Sequence, residues 1–123
     1  MRKIILLMSI LAMHWAVAQQ QTSPDGNVVL SFSLKADGTP TYKMTYKGKP
    51  VINESTLGFT LKKDEPLTNH FKVVGDSKST FKETWKPVWG EEKEILNHYN
   101  ELLVQLKQDK TNRLMNIRFR VYN

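Results

Sequence analysis

The sequence predicts an all-β fold, an incomplete antiparallel β-sandwich. Several short segments alternate apolar and polar side chains, and turn-forming residues separate these segments at close spacing. The chain has 123 residues. The first 18 are predicted to be a cleaved leader, and the remaining 105 residues are enough for one small domain.

Residues 1–18 have the features of a secretory signal peptide. Arg2 and Lys3 form a basic head, residues 4–17 are mostly apolar, and residues 16–18 (AVA) provide a small-x-small cleavage signal. The apolar run is shorter than the roughly 20 residues that span a bilayer. A retained anchor is the disfavoured alternative, because a polar glutamine run follows directly. We expect cleavage after Ala18, a periplasmic or secreted protein, and no membrane association after cleavage.

Composition argues against a nucleic-acid partner. Without Arg2 and Lys3, 16 of the 18 basic residues remain against 12 acidic ones, a formal charge of +4. These basic residues are scattered along the chain, whereas nucleic-acid binding requires them on one face. The absence of cysteine favours a bacterial exported protein over a disulfide-stapled eukaryotic one.

Four segments in the first half of the domain are predicted strands. In the first of them Leu30, Phe32 and Leu34 share one face, and Asp37-Gly38 then suits a tight hairpin. Gly48 ends the second alternating run. The segments are VVLSFSLK (28–35), TPTYKMTYK (39–47), KPVI (49–52) and LGFTLKK (57–63). The stretch 64–78 is polar apart from the short apolar segment HFKVVG (70–75).

Residues 85–108 fit two structures about equally well on pattern alone. An amphipathic helix is supported by apolar residues at helical spacing, namely Ile95, Tyr99, Leu102, Leu103 and Leu106. A strand is supported by the neighbouring segment 115–122, which alternates strongly and needs a partner. In that pairing, Leu102, Val104 and Leu106 of ELLVQLK (101–107) can face the same side as Ile117 and Phe119.

No catalytic or metal-ligating residue is predicted. The sequence has no nucleophile elbow, no phosphate-binding glycine loop and no Cys/His cluster. His98 and Glu101 would face opposite sides of a strand. The carboxylates at positions 91, 92 and 94 fit a solvated acidic cluster better than the separated pair that sugar hydrolysis needs.

Trp85 and Trp89 are the candidate binding residues. They bracket Lys86-Pro87-Val88, where proline stiffens the chain, and Gly90 allows unusual backbone angles. Two interpretations compete. The indoles stack on the apolar face of a sugar, or both rings fill one end of the sandwich core, which is the more common use of large aromatics.

Three segments resemble one enzyme family. SPDGNVVLSFSLKADGTPTYKMTYKGKPVI (23–52), ETWKPVWGEEKEILNHYNELLVQL (83–106) and RFRVYN (118–123) are similar to the amino-terminal domain of glycoside hydrolase family 97. These enzymes are exported α-glucosidases and α-galactosidases of polysaccharide-degrading Gram-negative bacteria. The sequence departs from the pattern at Lys82 and Leu96, where an acidic and a basic residue are expected.

The resemblance implies a galactose mutarotase-like β-sandwich that precedes a (β/α)₈ catalytic barrel in the same polypeptide. It also implies that residues 97–107 are mainly strand, entered from a loop at 85–90. The complete enzyme is expected to bind calcium and an α-glucan or α-galactoside, with none of its ligands or catalytic carboxylates in this chain. Since the chain ends directly after an alternating strand, we expect an incomplete domain without the barrel, inactive by itself.

The implied role is non-catalytic. The domain helps to shape the substrate pocket, with Trp85, Trp89 and Glu91 closest to the carbohydrate. The main alternative is a free-standing exported carbohydrate-binding module, and a third interpretation is a sandwich that binds another chain through its exposed edge.

Overall fold

The computed structural model describes residues 18–123 as two antiparallel β-sheets. The first sheet contains, in spatial order, β1 (Gln19–Thr22), β2 (Val28–Leu34), β3 (Pro40–Tyr46) and β4 (Lys49–Thr56). The second contains β5 (Phe71–Trp85), β6 (Ile95–Gln108) and β7 (Leu114–Tyr122). The all-β prediction is confirmed.

The predicted signal peptide lies outside the described residues except for Ala18. Within residues 18–123 there is no helix long and apolar enough to cross a lipid bilayer.

Tight turns connect the strands of the first sheet. Lys47 and Gly48 form the two-residue loop between β3 and β4, with φ angles of 47° and 77°. Positive φ at both positions gives the mirror-image turn whose twist matches that of the flanking strands. Between β2 and β3, Gly38 also has a positive φ of 78°, but the connection spans residues 35–39 and is longer than the tight hairpin predicted.

The core lies between the two sheets. Phe32 of β2 is completely buried, and its ring centroid lies 6.0 Å from that of Phe119 in β7. Leu102, Val104 and Leu106 of β6 are also completely buried. Burial of apolar side chains from both sheets is the main force that holds a two-layer β fold together.

The uncertain segment 97–107 is strand, as the resemblance implied, and lies within β6. Leu102 pairs with Phe119, and Leu106 pairs with Met115, so these leucines face the first sheet. Alternation along the strand places Ile95, Tyr99 and Leu103 on the opposite face. The apparent helical stripe therefore consists of two apolar sets on opposite sides of one strand, and the helical interpretation is wrong.

Two other predictions need correction. Residues 57–63 are not a strand, because Phe59 makes only an isolated bridge with Leu67. The polar stretch 64–78 contains the beginning of β5, which pairs with β6 from Phe71↔Gln108 to Trp85↔Ile95. The partner strand supplies the hydrogen bonds of β5, and much of β5 is solvent-exposed, so apolar alternation did not reveal it.

Candidate functional site

The distal parts of β5 and β6 form a two-stranded ribbon. Pairing of β6 with β7 runs only from Lys107↔Leu114 to Tyr99↔Tyr122, whereas pairing with β5 continues to Trp85↔Ile95. We define residues 82–98 as the ribbon and residues 85–94 as its tip. A two-stranded ribbon buries little of either face, so side chains at the tip stay available to a ligand or a partner.

Both tryptophans are at the tip and exposed to solvent. Trp85 is the last residue of β5, not part of the loop as predicted, because its backbone still pairs with Ile95. Trp85 is 47% exposed and Trp89 is 89% exposed. Neither ring fills the end of the sandwich core, so that interpretation is wrong for the described residues. Gly90 has a φ of 129°, a conformation that favours glycine.

Glu91 lies in the same loop and is also exposed. Lys86 Nζ and Glu94 Oε1 form an ion pair of 3.6 Å across the base of the loop. Both partners are largely solvated, so this contact contributes little stability. The structure thus brings Trp85, Trp89 and Glu91 to one hairpin tip. Among the aromatic contacts of residues 18–123, none joins the two indoles.

An aromatic row on the outer face of the second sheet was not predicted. Phe81, Tyr99 and Tyr122 occupy one register position across β5, β6 and β7. The Phe81 and Tyr99 rings are stacked with centroids 5.2 Å apart, and the Tyr99 and Tyr122 rings are tilted at 5.1 Å. The available signal was the predicted pairing of 101–107 with 115–122, but no register was predicted for it. The register that the structure shows places Tyr122 opposite Tyr99.

A charged cluster lies beside this row. Glu101 accepts a hydrogen bond of 2.9 Å from Arg120 Nε through Oε2, and its Oε1 lies 3.3 Å from Arg118 Nε. The pKa of Arg120 lies further above its usual value, chiefly because its guanidinium donates a hydrogen bond to the Glu101 carboxylate. The Arg120 guanidinium also lies over the Tyr99 ring, 5.0 Å from its centroid. As predicted, alternation along β6 places His98 and Glu101 on opposite faces.

The described residues do not fit a calcium ion. Within residues 18–123 no three His, Cys, Asp or Glu side chains are grouped so that they could hold a metal. Calcium takes six to eight oxygen ligands, and the carboxylate best held in place, Glu101, is occupied by two guanidinium groups.

A mainly apolar cavity of about 320 Å³ lies beside β7, and Arg118 of the charged cluster is among the residues that line it. Phe59 and neighbouring residues line it on one side, and Met115 and Ile117 of β7 on the other. Trp85, Trp89 and Glu91 do not line this cavity.

Residues 22–123 match the family described as Glycosyl-hydrolase 97 N-terminal. This match covers most of the chain and the whole of both sheets except part of β1. The chain belongs to this family.

Known relatives of this family 97 domain are much longer proteins. A retaining alpha-galactosidase of Bacteroides thetaiotaomicron is 30% identical over 127 residues, an alignment that covers all of this chain and 18% of that protein. Two structures of a glycoside hydrolase family 97 enzyme from Pseudoalteromonas sp. strain K8, one with panose and one with acarbose, are 29% identical with TM-scores of 0.79. Each match covers 85% of this chain and 16% of that enzyme.

A beta-arabinopyranosidase structure shares the fold, with a TM-score of 0.75 at 21% identity. The family 97 domain described here therefore has the architecture of an accessory domain of a glycosidase, and it spans less than a fifth of the relatives that it matches.

Proposed function

We propose that this chain is the non-catalytic amino-terminal part of an exported α-glycosidase. In this role the tip of the ribbon forms part of the wall of the substrate pocket of a (β/α)₈ catalytic domain in the same polypeptide. The observation that carries the proposal is the exposure of Trp85 and Trp89 at the tip. An indole that leaves 89% of its surface in water gives up most of the stability that burial would supply.

The chemistry of the tip suits a carbohydrate. The flat apolar face of an indole packs on the C–H face of a pyranose ring, and the carboxylate of Glu91 accepts hydrogen bonds from sugar hydroxyls. Support also comes from the Pseudoalteromonas relative, which has been solved with panose and with acarbose. The substrate class that we propose is an α-glucan or α-galactoside oligosaccharide.

Export and calcium belong to the same proposal. We propose that residues 1–18 act as a signal peptide and direct the enzyme to the periplasm or out of the cell. Because residues 18–123 do not fit calcium, the ion expected in the complete enzyme would be held by other parts of the polypeptide.

Replacing the flat ring of Trp89 tests this function. In the test protein, residues 19–123 replace the matching segment of the B. thetaiotaomicron α-galactosidase. The steady-state kinetics of this fusion are then measured on an oligosaccharide substrate. We expect Trp89→Leu to raise KM by about three- to tenfold with kcat unchanged, because an aromatic contact is worth about 0.5–1.5 kcal/mol. Val88→Ala is the matched control, since Val88 is equally exposed in the same loop and has no flat ring. If Trp89→Leu leaves the KM of an active fusion unchanged, that result contradicts the proposal.

The exposed indoles also suit a free-standing carbohydrate-binding module, the second candidate. The two candidates differ in what the chain binds alone. As part of a pocket wall, the chain should bind maltose weakly or not at all in a calorimetric titration. A micromolar dissociation constant, with a shift of tryptophan fluorescence that Trp89→Leu abolishes, would favour the free-standing module.

A further inference from the structure

We propose that a small polar pocket near the start of β5 binds one neutral hexopyranose unit, at a site separate from the ribbon tip. The end of β4, the turn before β3 and the segment before β5 meet at this pocket. Its volume is about 250 Å³, which is enough for a single sugar ring. We call it the threonine pocket and define it by the six residues that line it, Thr39, Thr56, Leu57, Gly58, Thr68 and Asn69.

The threonine pocket contains polar side chains that have no partner in the protein. Within residues 18–123 no hydrogen bond involves the side chains of Thr56, Thr68 or Asn69. In the same part of the chain every buried side-chain nitrogen or oxygen has a partner, so these free groups reach open space instead of the protein interior. Two hydroxyls and one amide offer a ligand both hydrogen-bond donors and acceptors.

The six lining residues include no charged side chain. A phosphate or a carboxylate would lose hydration in such a pocket without gaining an ion pair. A sugar hydroxyl, in contrast, both donates and accepts, so it pairs with a threonine hydroxyl or with the amide of Asn69. Leu57 is half-buried and supplies an apolar surface for the C–H groups of the ring. The chemistry of the pocket therefore fits a neutral polyhydroxylated ring.

Backbone contacts fix the walls of the threonine pocket. Gly58 lies so close to the opposite segment that an added Cβ atom would be 2.7 Å from the carbonyl oxygen of Leu67. Beside it, Phe59 and Leu67 exchange backbone hydrogen bonds of 3.0 and 2.8 Å. The buried side-chain amide of Gln108 donates to the carbonyl oxygen of Asn69 at 3.1 Å. Because the walls are already held in place, a ligand has little conformational entropy to remove when it binds.

The length of β5 separates the threonine pocket from the ribbon tip. Asn69 lies two residues before β5, and Trp85 is the last residue of β5. β5 has 15 residues, so at about 3.3 Å per residue its two ends are roughly 45 Å apart. A trisaccharide such as panose is too short to contact both places. The inference is therefore independent of the function proposed for Trp89.

Nuclear magnetic resonance titration of the isotope-labelled chain with methyl α-D-glucopyranoside tests the inference. The backbone amide signals of Gly58, Thr68 and Asn69 should shift and reach saturation. We expect a dissociation constant on the order of 1–10 mM, because an open pocket covers only part of a one-ring ligand. The indole N–H signals of Trp85 and Trp89 report on the ribbon tip in the same spectra, so the two sites are measured separately.

Removing one free hydroxyl provides the matched comparison. Thr68→Val keeps the shape of the side chain and should weaken binding about three- to tenfold. Thr45→Val is the control, because Thr45 is also half-buried but lies in β3 outside the pocket, and it should leave the dissociation constant unchanged. Added salt should not change the dissociation constant either, since no charged side chain lines the pocket.

Four results would overturn the inference. They are shifts that grow without saturation, signals of Gly58 and Thr68 that do not move, equal binding by the protein and by Thr68→Val, and binding of glycerol as tight as that of the sugar. Saturating shifts confined to the indole signals would also overturn it, while supporting the function proposed for the ribbon tip.

A second measurement uses the α-galactosidase fusion and applies if the chain alone gives no dispersed spectrum. Methyl-labelled threonine makes Thr56 and Thr68 visible in a protein of that size. Both methyl signals should shift when methyl α-D-glucopyranoside is added, whereas the methyl signal of Thr45 should not. Unchanged signals of Thr56 and Thr68 in an active fusion would overturn the inference, and the KM test at Trp89 would still decide the proposed function.

Discussion

A Cβ atom placed on Gly38 would lie 2.5 Å from the backbone nitrogen of Phe71. The turn between β2 and β3 therefore presses directly on the first residue of β5. Two backbone hydrogen bonds hold this contact, from His70 N to Asp37 O at 2.8 Å and from Phe71 N to Gly38 O at 3.2 Å. The contact joins the two sheets through the main chain, independently of the apolar core.

Gly38→Ala should therefore destabilise the domain more than the same change at another turn glycine. We expect a loss of about 2–4 kcal/mol in the free energy of unfolding, from the positive φ and from the clash with the Phe71 backbone. Gly48→Ala is the matched control, since Gly48 has nearly the same φ but no atom within 4 Å of the added Cβ, and it should cost only about 1 kcal/mol. Urea unfolding of both variants measures the difference. Equal losses would mean that the close approach does not matter.

Leu102→Ala and Leu103→Ala should have unequal effects although the residues are adjacent. Leu102 is completely buried in the core, so we expect its truncation to cost about 2–5 kcal/mol. Leu103 lies on the outer face and is only partly buried, so its truncation should cost less than half as much. Equilibrium unfolding of both variants tests the two-faced strand. A larger effect at position 103 would contradict the observed register.

Acid should weaken the domain through two turn carboxylates. Asp25 accepts hydrogen bonds from the Ser23 hydroxyl and from Asn27, and Asp37 accepts them from Thr39, so the pKa of each falls below its ordinary value of 3.8. A carboxylate with a lowered pKa in the folded state contributes stability above its unfolded pKa. That contribution disappears as pH falls through the lower folded value.

The stability of the protein should thus decline as pH drops below about 4, and Asp25→Asn or Asp37→Asn should flatten this decline. Unfolding measured from pH 7 to pH 2 provides the test. Curves of the same steepness for the protein and both variants would show that these carboxylates do not contribute.

Glu101→Gln should lower stability in a salt-dependent manner. The Glu101 side chain is 15% exposed and joins two arginines, so we expect a loss of about 1–2 kcal/mol at low ionic strength. Glu54→Gln is the control, because Glu54 is mostly exposed and lies 3.8 Å from Lys35, and it should have almost no effect. Thermal unfolding at low and high salt distinguishes the two. A loss at position 101 that does not depend on salt would indicate packing rather than charge.

The ease of predicting each strand followed from how it is covered. β2 and β7 were predicted because only one face of each packs in the core, as with Phe32 and Phe119, so apolar residues alternate with polar ones. β5 was missed because most of it has no core to face and β6 supplies its hydrogen bonds. Residues 57–63 alternate without becoming a strand, because only Phe59 finds a bridge partner.

The candidate site shows the same limit. The two tryptophans could be chosen from their spacing around Pro87. The sequence pattern does not indicate, however, whether an indole ring is buried or exposed to solvent. The structure places Trp89 in solvent because the ribbon extends past the end of β7. The row formed by Phe81, Tyr99 and Tyr122 depends on the register of three strands, and that register is set by pairing across more than 40 residues of chain.

The sequence by itself determined the all-β class, the family and the absence of a recognisable catalytic motif, because these depend on local alternation, turn chemistry and residue identity. The family resemblance implied that residues 97–107 are strand, but only the tertiary structure decided that β6 carries apolar residues on both of its faces. Leu102 and Tyr99 fit both a helical and a strand spacing, and the choice between them was made by hydrogen bonds to β5 and β7, which lie outside the segment itself.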